Sequence, residues 1–130
     1  MAICIIGLGY VGLPLANAFA KKHTVVGVDI NQNRINELKN FNDVTLELTK
    51  EDLKITIGKS LTLTNSVKDA SNCNYYVITV PTPITLNNEP DLTLLINATK
   101  SVSTVLKNGD IVIFESTVYP GVTEDICIPI

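Results

Sequence analysis

The sequence predicts an α/β domain built on a doubly wound parallel sheet, and three observations predict it. An apolar run at residues 2–6 opens directly into Gly7-Leu8-Gly9-Tyr10-Val11-Gly12. A second run, Val25-Val26-Gly27-Val28, ends in Asp29, 22 residues after Gly7. Short β-branched runs then alternate with stretches of helical period, separated by turn residues. The chain has 130 residues, 45% hydrophobic and 18% charged, which suits one globular domain with a real core.

Each element follows in order. Residues 2–6 are short, apolar and ended by glycine, as a buried parallel strand is. Residues 11–22 read as a helix, with Pro14 tolerated in its first turn. Residues 25–29 form the second strand, and a helix across 33–38 follows. Thr49-Lys50-Glu51-Asp52 resembles a helix N-cap with acids in the first turn, so a short helix is expected across 52–57. Residues 61–64 make a short third strand at an edge, and 75–80 a β-branched and aromatic fourth strand. That strand runs into Pro81-Thr82-Pro83, a stiff extended loop. Asp91 is placed to cap a helix with the stripe Leu92, Leu95, Ile96, Val102, Val105 and Leu106, stopped by Asn108-Gly109-Asp110. Residues 111–114 are the fifth strand, leading into Glu115-Ser116-Thr117-Val118-Tyr119-Pro120-Gly121, and residues 122–130 begin another helix.

Five strands with helical crossovers make a Rossmann-type doubly wound parallel sheet, ordered 3-2-1-4-5. The apolar end of the sequence, just after a helix begins, suggests an N-terminal piece of a longer protein that stops before or near a sixth strand. Strand 5 would then present an apolar edge and promote self-association.

The function sits at the carboxyl ends of the strands. Gly7 allows the tight turn, Gly9 lets a pyrophosphate approach the backbone, and Gly12 lets helix and strand pack closely. The helix N-terminus offers N–H groups and partial positive charge to phosphates. Asp29 stands where a dinucleotide fold places an acid for the adenosine ribose. Its carboxylate would repel a 2′-phosphate, so NAD is expected over NADP. Asp29 also fits a helix N-cap, and Arg34 fits a solvated surface charge. The loops at 7–12, 81–83 and 115–121 should line one crevice. Glu115 is either a base or a holder of its loop. Ser116 and Thr117 have no histidine nearby, which removes a hydrolase triad. His23 falls in a solvated turn.

The motifs Gly-Leu-Gly-Tyr-Val-Gly-Leu-Pro-Leu-Ala at 7–16, Val-Pro-Thr-Pro at 80–83 and Glu-Ser-Thr-Val-Tyr-Pro-Gly at 115–121 resemble the nucleotide-sugar dehydrogenases, in that family's order. These are the UDP-glucose and UDP-N-acetylhexosamine 6-dehydrogenases. With Asp-Leu-Thr at 91–93, the chain is most similar to the enzymes acting on UDP-N-acetylglucosamine or UDP-N-acetylgalactosamine, which supply uronic acids to capsules and O-antigens. UDP-glucose is the competing substrate. The resemblance implies an NAD-binding domain in which Gly7, Leu8, Gly9, Tyr10, Val11, Gly12, Asp29, Arg34, Val80, Pro81, Thr82 and Thr117 meet the cofactor. It implies that Thr117 helps hold the catalytic water. It also implies two successive oxidations of the sugar C6 alcohol to a carboxylate with two NAD⁺, through an aldehyde held on a cysteine. Neither Cys4, Cys73 nor Cys127 fits that cysteine, so this piece alone is expected to be inactive. The full-length family member is expected to be a homodimer or larger. The rival readings are a hydroxyacid dehydrogenase of the same fold and a non-catalytic module that binds NAD(H).

Composition narrows the partners. Net charge is −3 with no basic block, which argues against nucleic acid and anionic membrane. No apolar run has the length of a membrane span, and no basic region precedes the first strand as in a signal peptide. Three cysteines without close spacing suggest no disulfide framework and no metal site, and so a reducing cytoplasm.

Overall fold

The computed structural model describes Met1–Ile130. Its sheet is five parallel strands in the order β3-β2-β1-β4-β5. The strands are β1 (Ala2–Ile6), β2 (Thr24–Val28), β3 (Leu61–Thr64), β4 (Tyr75–Ile78) and β5 (Ile111–Phe114). The helices are α1 (Gly12–Ala20), α2 (Gln32–Lys39), α3 (Lys50–Thr56) and α4 (Thr93–Ser103). The predicted order and the edge position of β3 are both observed.

Side chains alternate across the sheet, and each face has its own core. Ile3, Ile5, Val25, Leu61 and Val77 pack with Leu13, Ile35, Leu38 and Leu53 beneath α1, α2 and α3. Cys4, Ile6, Tyr76 and Ile78 pack with Leu95, Ala98 and Val102 of α4. Each fully buried Leu or Ile here contributes about 1.5–3 kcal/mol over an exposed one. All three cysteines are buried and free. Tyr76 is enclosed, with its hydroxyl donating to the Ala70 carbonyl at 3.0 Å. No helix is long and apolar enough to cross a membrane.

Several boundaries differ from the sequence reading. Helix α1 ends at Ala20 rather than residue 22. Asn31, not Asp29, caps α2, accepting from the N–H groups of Asn33 and Arg34. Helix α3 starts at Lys50 under a Thr49–Asp52 capping box. Strand β4 ends at Ile78, because Thr79 turns its hydroxyl to the Ile6 and Gly7 carbonyls at 2.9 and 2.8 Å. Helix α4 ends at Ser103, short of Asn108-Gly109. Serine and threonine hydroxyls at 101, 103 and 104 bond back to carbonyls of the preceding turn there, which weakens continuation. Asp91 bonds the Thr93 N–H from one residue before the N-cap, Leu92. Residues Thr123–Cys127 form a π-helical turn rather than the start of a regular helix. Ile111 and Ile113 of β5 are 47% and 38% exposed, the apolar edge that the sequence suggested.

Candidate functional site: a crevice at the carboxyl end of the sheet

The glycine turn is shaped by what lies behind it. Gly7 has φ +92°, and a side chain there would press on the backbone of Thr79 and Val80. A Cβ on Gly12 would overlap the Gly7 carbonyl oxygen and the Thr79 hydroxyl. A Cβ on Gly9 would meet nothing within 4 Å. Thus Gly7 and Gly12 are demanded by packing, while Gly9 leaves open space. Helix α1 begins at Gly12 with no side-chain cap and no acid in its first turn. The Leu13 N–H is spent on the Gly9 carbonyl at 3.1 Å and Pro14 has none, so the N–H groups of Tyr10, Val11 and Gly12, at the turn into the helix, are those left for a phosphate.

Gly7 and Gly9 line a cavity of about 360 Å³ together with Ile6, Val28, Asp29 and Ile30. Val80 and Pro81 close one side, and Leu94, Asn97, Ala98 and Ser101 of α4 close another. Asn65 and Val67, beyond β3, complete it. The walls are largely apolar with a few polar groups, as a small-molecule site is. Asp29 is partly buried at its rim. Its Oδ2 accepts from the Leu8 N–H and its Oδ1 from the Asn31 N–H, both at 2.9 Å. A carboxylate has about four acceptor directions, so each oxygen can still take a ribose hydroxyl.

The other two expected loops are joined to each other, but the expectation that both line the cavity is not met: Pro81 lines it, while Thr82 and the 115–121 loop stand outside its lining. Thr82 Oγ1 donates to the Thr117 carbonyl at 2.6 Å, and Ser116 Oγ donates to the Val80 carbonyl at 2.6 Å. These two bonds, not Glu115, hold the 115–121 loop, and Glu115 is exposed. Tyr10 and Val11 project at 69% and 56% exposure from the glycine turn. Leu8 sends its side chain into the core instead and offers only its peptide.

Arg34 is neither solvated nor in the cavity. It is 7% exposed, behind the glycine turn, with Nε donating to the Leu8 carbonyl at 2.9 Å and Nη2 to Asp43 Oδ1 at 2.8 Å. Its Nη1 has no hydrogen-bond partner, and Glu37 Oε2 lies 4.0 Å away. Burial pushes the Asp43 carboxyl up, but bonds from Thr45, Arg34 and the Leu48 N–H outweigh it and hold it below its ordinary value. His23 is half-buried against Phe19, with ring centroids 6.5 Å apart, rather than free in solvent. Asp43, Asn65, Asn97 and Ser101 were not singled out by sequence. For the last two a signal existed: polar residues one turn apart beside the apolar stripe of α4.

An open glycine at a helix start, a carboxylate just past the end of β2 and a cavity that both line are the features of a dinucleotide-binding domain. All of residues 1–130 match the model of the UDP-glucose/GDP-mannose dehydrogenase family, NAD binding domain, and the chain belongs to that family. It is 56% identical over 128 residues to the UDP-N-acetyl-D-glucosamine 6-dehydrogenase of Salmonella typhi, covering 98% of this chain and 30% of that protein. It is 52% identical over 130 residues to the enzyme of the same name from Pseudomonas aeruginosa, covering 100% of this chain and 30% of that protein. Among solved structures, the UDP-D-ManNAc dehydrogenase of Pyrococcus horikoshii superposes with a TM-score of 0.90 at 37% identity, over 95% of this chain and 30% of that one. The chain thus spans about a third of the length of these relatives. Its cofactor is NAD.

Proposed function

We propose that this chain is the NAD-binding part of a UDP-N-acetylhexosamine 6-dehydrogenase, the N-terminal portion of a longer enzyme. The observation that carries the reading is the cavity shared by the open side of Gly9 and the Asp29 carboxylate. NAD supplies the hydride acceptor for oxidation of a sugar C6 alcohol, twice per sugar on the way to a carboxylate. The residues of this chain bind and orient. Asp29 takes the adenosine ribose hydroxyls and disfavours a 2′-phosphate. The 7–12 turn and the start of α1 take the pyrophosphate. Val80, Pro81, Thr82 and Thr117 flank the nicotinamide half, with Thr117 positioning water for release of the acid. Arg34 works from behind the turn through the Leu8 carbonyl.

The three buried cysteines offer no nucleophile to this crevice. The isolated chain therefore binds cofactor without turning over sugar. The reaction serves cytoplasmic synthesis of acidic polysaccharide precursors by a homodimer or larger assembly, with a UDP-sugar as partner substrate. The alternative substrate is UDP-glucose.

Calorimetric titration with NAD⁺, NADP⁺ and UDP-N-acetylglucosamine in parallel tests this. Binding of NAD⁺ alone, lost in Asp29→Ala, supports the reading. A folded chain that binds UDP-N-acetylglucosamine but neither dinucleotide rejects it.

A further inference from the structure

We propose that Asp43 is a positioning residue for cofactor binding: it holds Arg34 on the Leu8 carbonyl and thereby fixes the glycine turn beside Asp29. The proposal rests on the NAD-binding reading of the same crevice. Asp43 is 5% exposed and lines no part of that crevice. Its environment is nevertheless elaborate. Oδ1 accepts from the Thr45 N–H at 3.0 Å, the Thr45 hydroxyl at 2.6 Å and Arg34 Nη2 at 2.8 Å. Oδ2 accepts from the Glu47 and Leu48 N–H groups, each at 3.0 Å. The 43–48 turn is wound around this one carboxylate.

The consequence passes through Arg34. A guanidinium is planar, so fixing Nη2 on Asp43 also fixes the direction of Nε. Nε donates to the Leu8 carbonyl, and the N–H of Leu8 donates to Asp29 Oδ2. The backbone of one residue, Leu8, therefore links the buried ion pair to the Asp29 carboxylate. Nη1 is left without a partner, so the guanidinium is placed by these two bonds, with a longer one from Nη2 to Thr45 Oγ1 at 3.4 Å, rather than by saturation of all its donors. Asp43 also balances a cation lodged directly behind a phosphate-binding turn. Without that balance, the field at the crevice becomes more favourable to the extra charge of a 2′-phosphate.

The test uses Asp43→Asn and Arg34→Lys in the full chain, with two readouts. Calorimetry gives affinities for NAD⁺ and NADP⁺, and amide hydrogen exchange reports the Leu8 N–H without any ligand. Asp43→Asn is expected to weaken NAD⁺ about tenfold, the scale of one charge-assisted hydrogen bond, and to narrow the NAD⁺ to NADP⁺ ratio. The Leu8 amide should exchange faster, with circular dichroism unchanged. Arg34→Lys keeps the charge but cannot reach Asp43 and the Leu8 carbonyl together, so it should speed the same amide and leave the double variant no worse. A folded Asp43→Asn with unchanged Leu8 exchange overturns the proposal. So does an equal loss of both dinucleotides with Leu8 still protected, which marks a merely structural residue. If the unaltered chain binds neither dinucleotide, the NAD reading fails, and the Leu8 amide by itself decides whether Asp43 positions the turn.

Discussion

The Thr82 hydroxyl reaches the Thr117 carbonyl across 35 residues of sequence, tying the loop after β4 to the loop after β5. With Ser116 on the Val80 carbonyl, it makes one wall of two loops that neither proline nor strand pairing would join. Thr82→Val keeps the side-chain shape and removes the donor. A net loss of about 1 kcal/mol, or roughly fivefold in NAD⁺ affinity, is expected. Because the bond lies at the surface, the melting temperature should change little. Titration alongside thermal unfolding checks both, and an unaltered affinity would remove Thr82 from the site.

Gly9 and Gly12, three residues apart in the motif, should behave oppositely.

 Gly9→Ala places a methyl where nothing lies within 4 Å, so the chain should fold normally while a pyrophosphate loses its close approach. Gly12→Ala drives a methyl into the Gly7 carbonyl and the Thr79 hydroxyl, so it should cost about 3 kcal/mol or more of stability. Denaturant unfolding and NAD⁺ titration of both variants separate the two roles. Equal destabilisation by both would contradict the geometry.

The Arg34–Asp43 pair predicts a pH dependence. The folded-state pKa of Asp43 is lowered, so its contribution is present above the ordinary carboxylate pKa and is lost as pH falls through the lowered value. The stability gap between the unaltered chain and Asp43→Asn should be flat from about pH 5 to 8 and close below about pH 4. On the flat part it should be about 3 kcal/mol, the scale for breaking a buried ion pair. Urea unfolding across that range is the measurement, and a gap that widens in acid would reverse the sign.

The thiols should be silent. Burial pushes the Cys4 thiol far above its ordinary value and raises Cys73 as well. Cys127 is 3% exposed. Iodoacetamide at pH 8 should leave the folded chain unmodified and label all three positions once urea is added. Rapid labelling of one cysteine in the folded chain would reopen the question of a nucleophile near the crevice.

The sheet was legible because strand and turn chemistry agree with each other: the runs of β1, β2, β4 and β5 end at a glycine, an acid or a proline, and β3 at Asn65. Asp29 was legible for the same reason, by its place at the end of β2. Arg34 was not, because one cation in Gln-Asn-Arg-Ile-Asn-Glu-Leu-Lys looks like any polar face of a helix. Its partner Asp43 lies in a segment shaped by Phe41 and Leu46, both at φ 58°, a conformation those residue types do not advertise. The end of α4 was missed because hydroxyl back-bonding stops it before the glycine that marks a stop in sequence. The cavity floor from α4 depends on how far that helix sits over the sheet, which no local pattern encodes.

Thr79 gives the molecule an order of assembly. Its hydroxyl anchors on Ile6 and Gly7, more than 70 residues earlier in the chain. The glycine turn can therefore take its final shape only after β4 has docked beside β1, the long-range pairing that is slowest to form. A nascent chain emerging from the ribosome would carry the whole glycine motif long before it could grip a dinucleotide. Cofactor capture in such a chain is a late event, and retention of NAD would report that the two halves of the sheet have met.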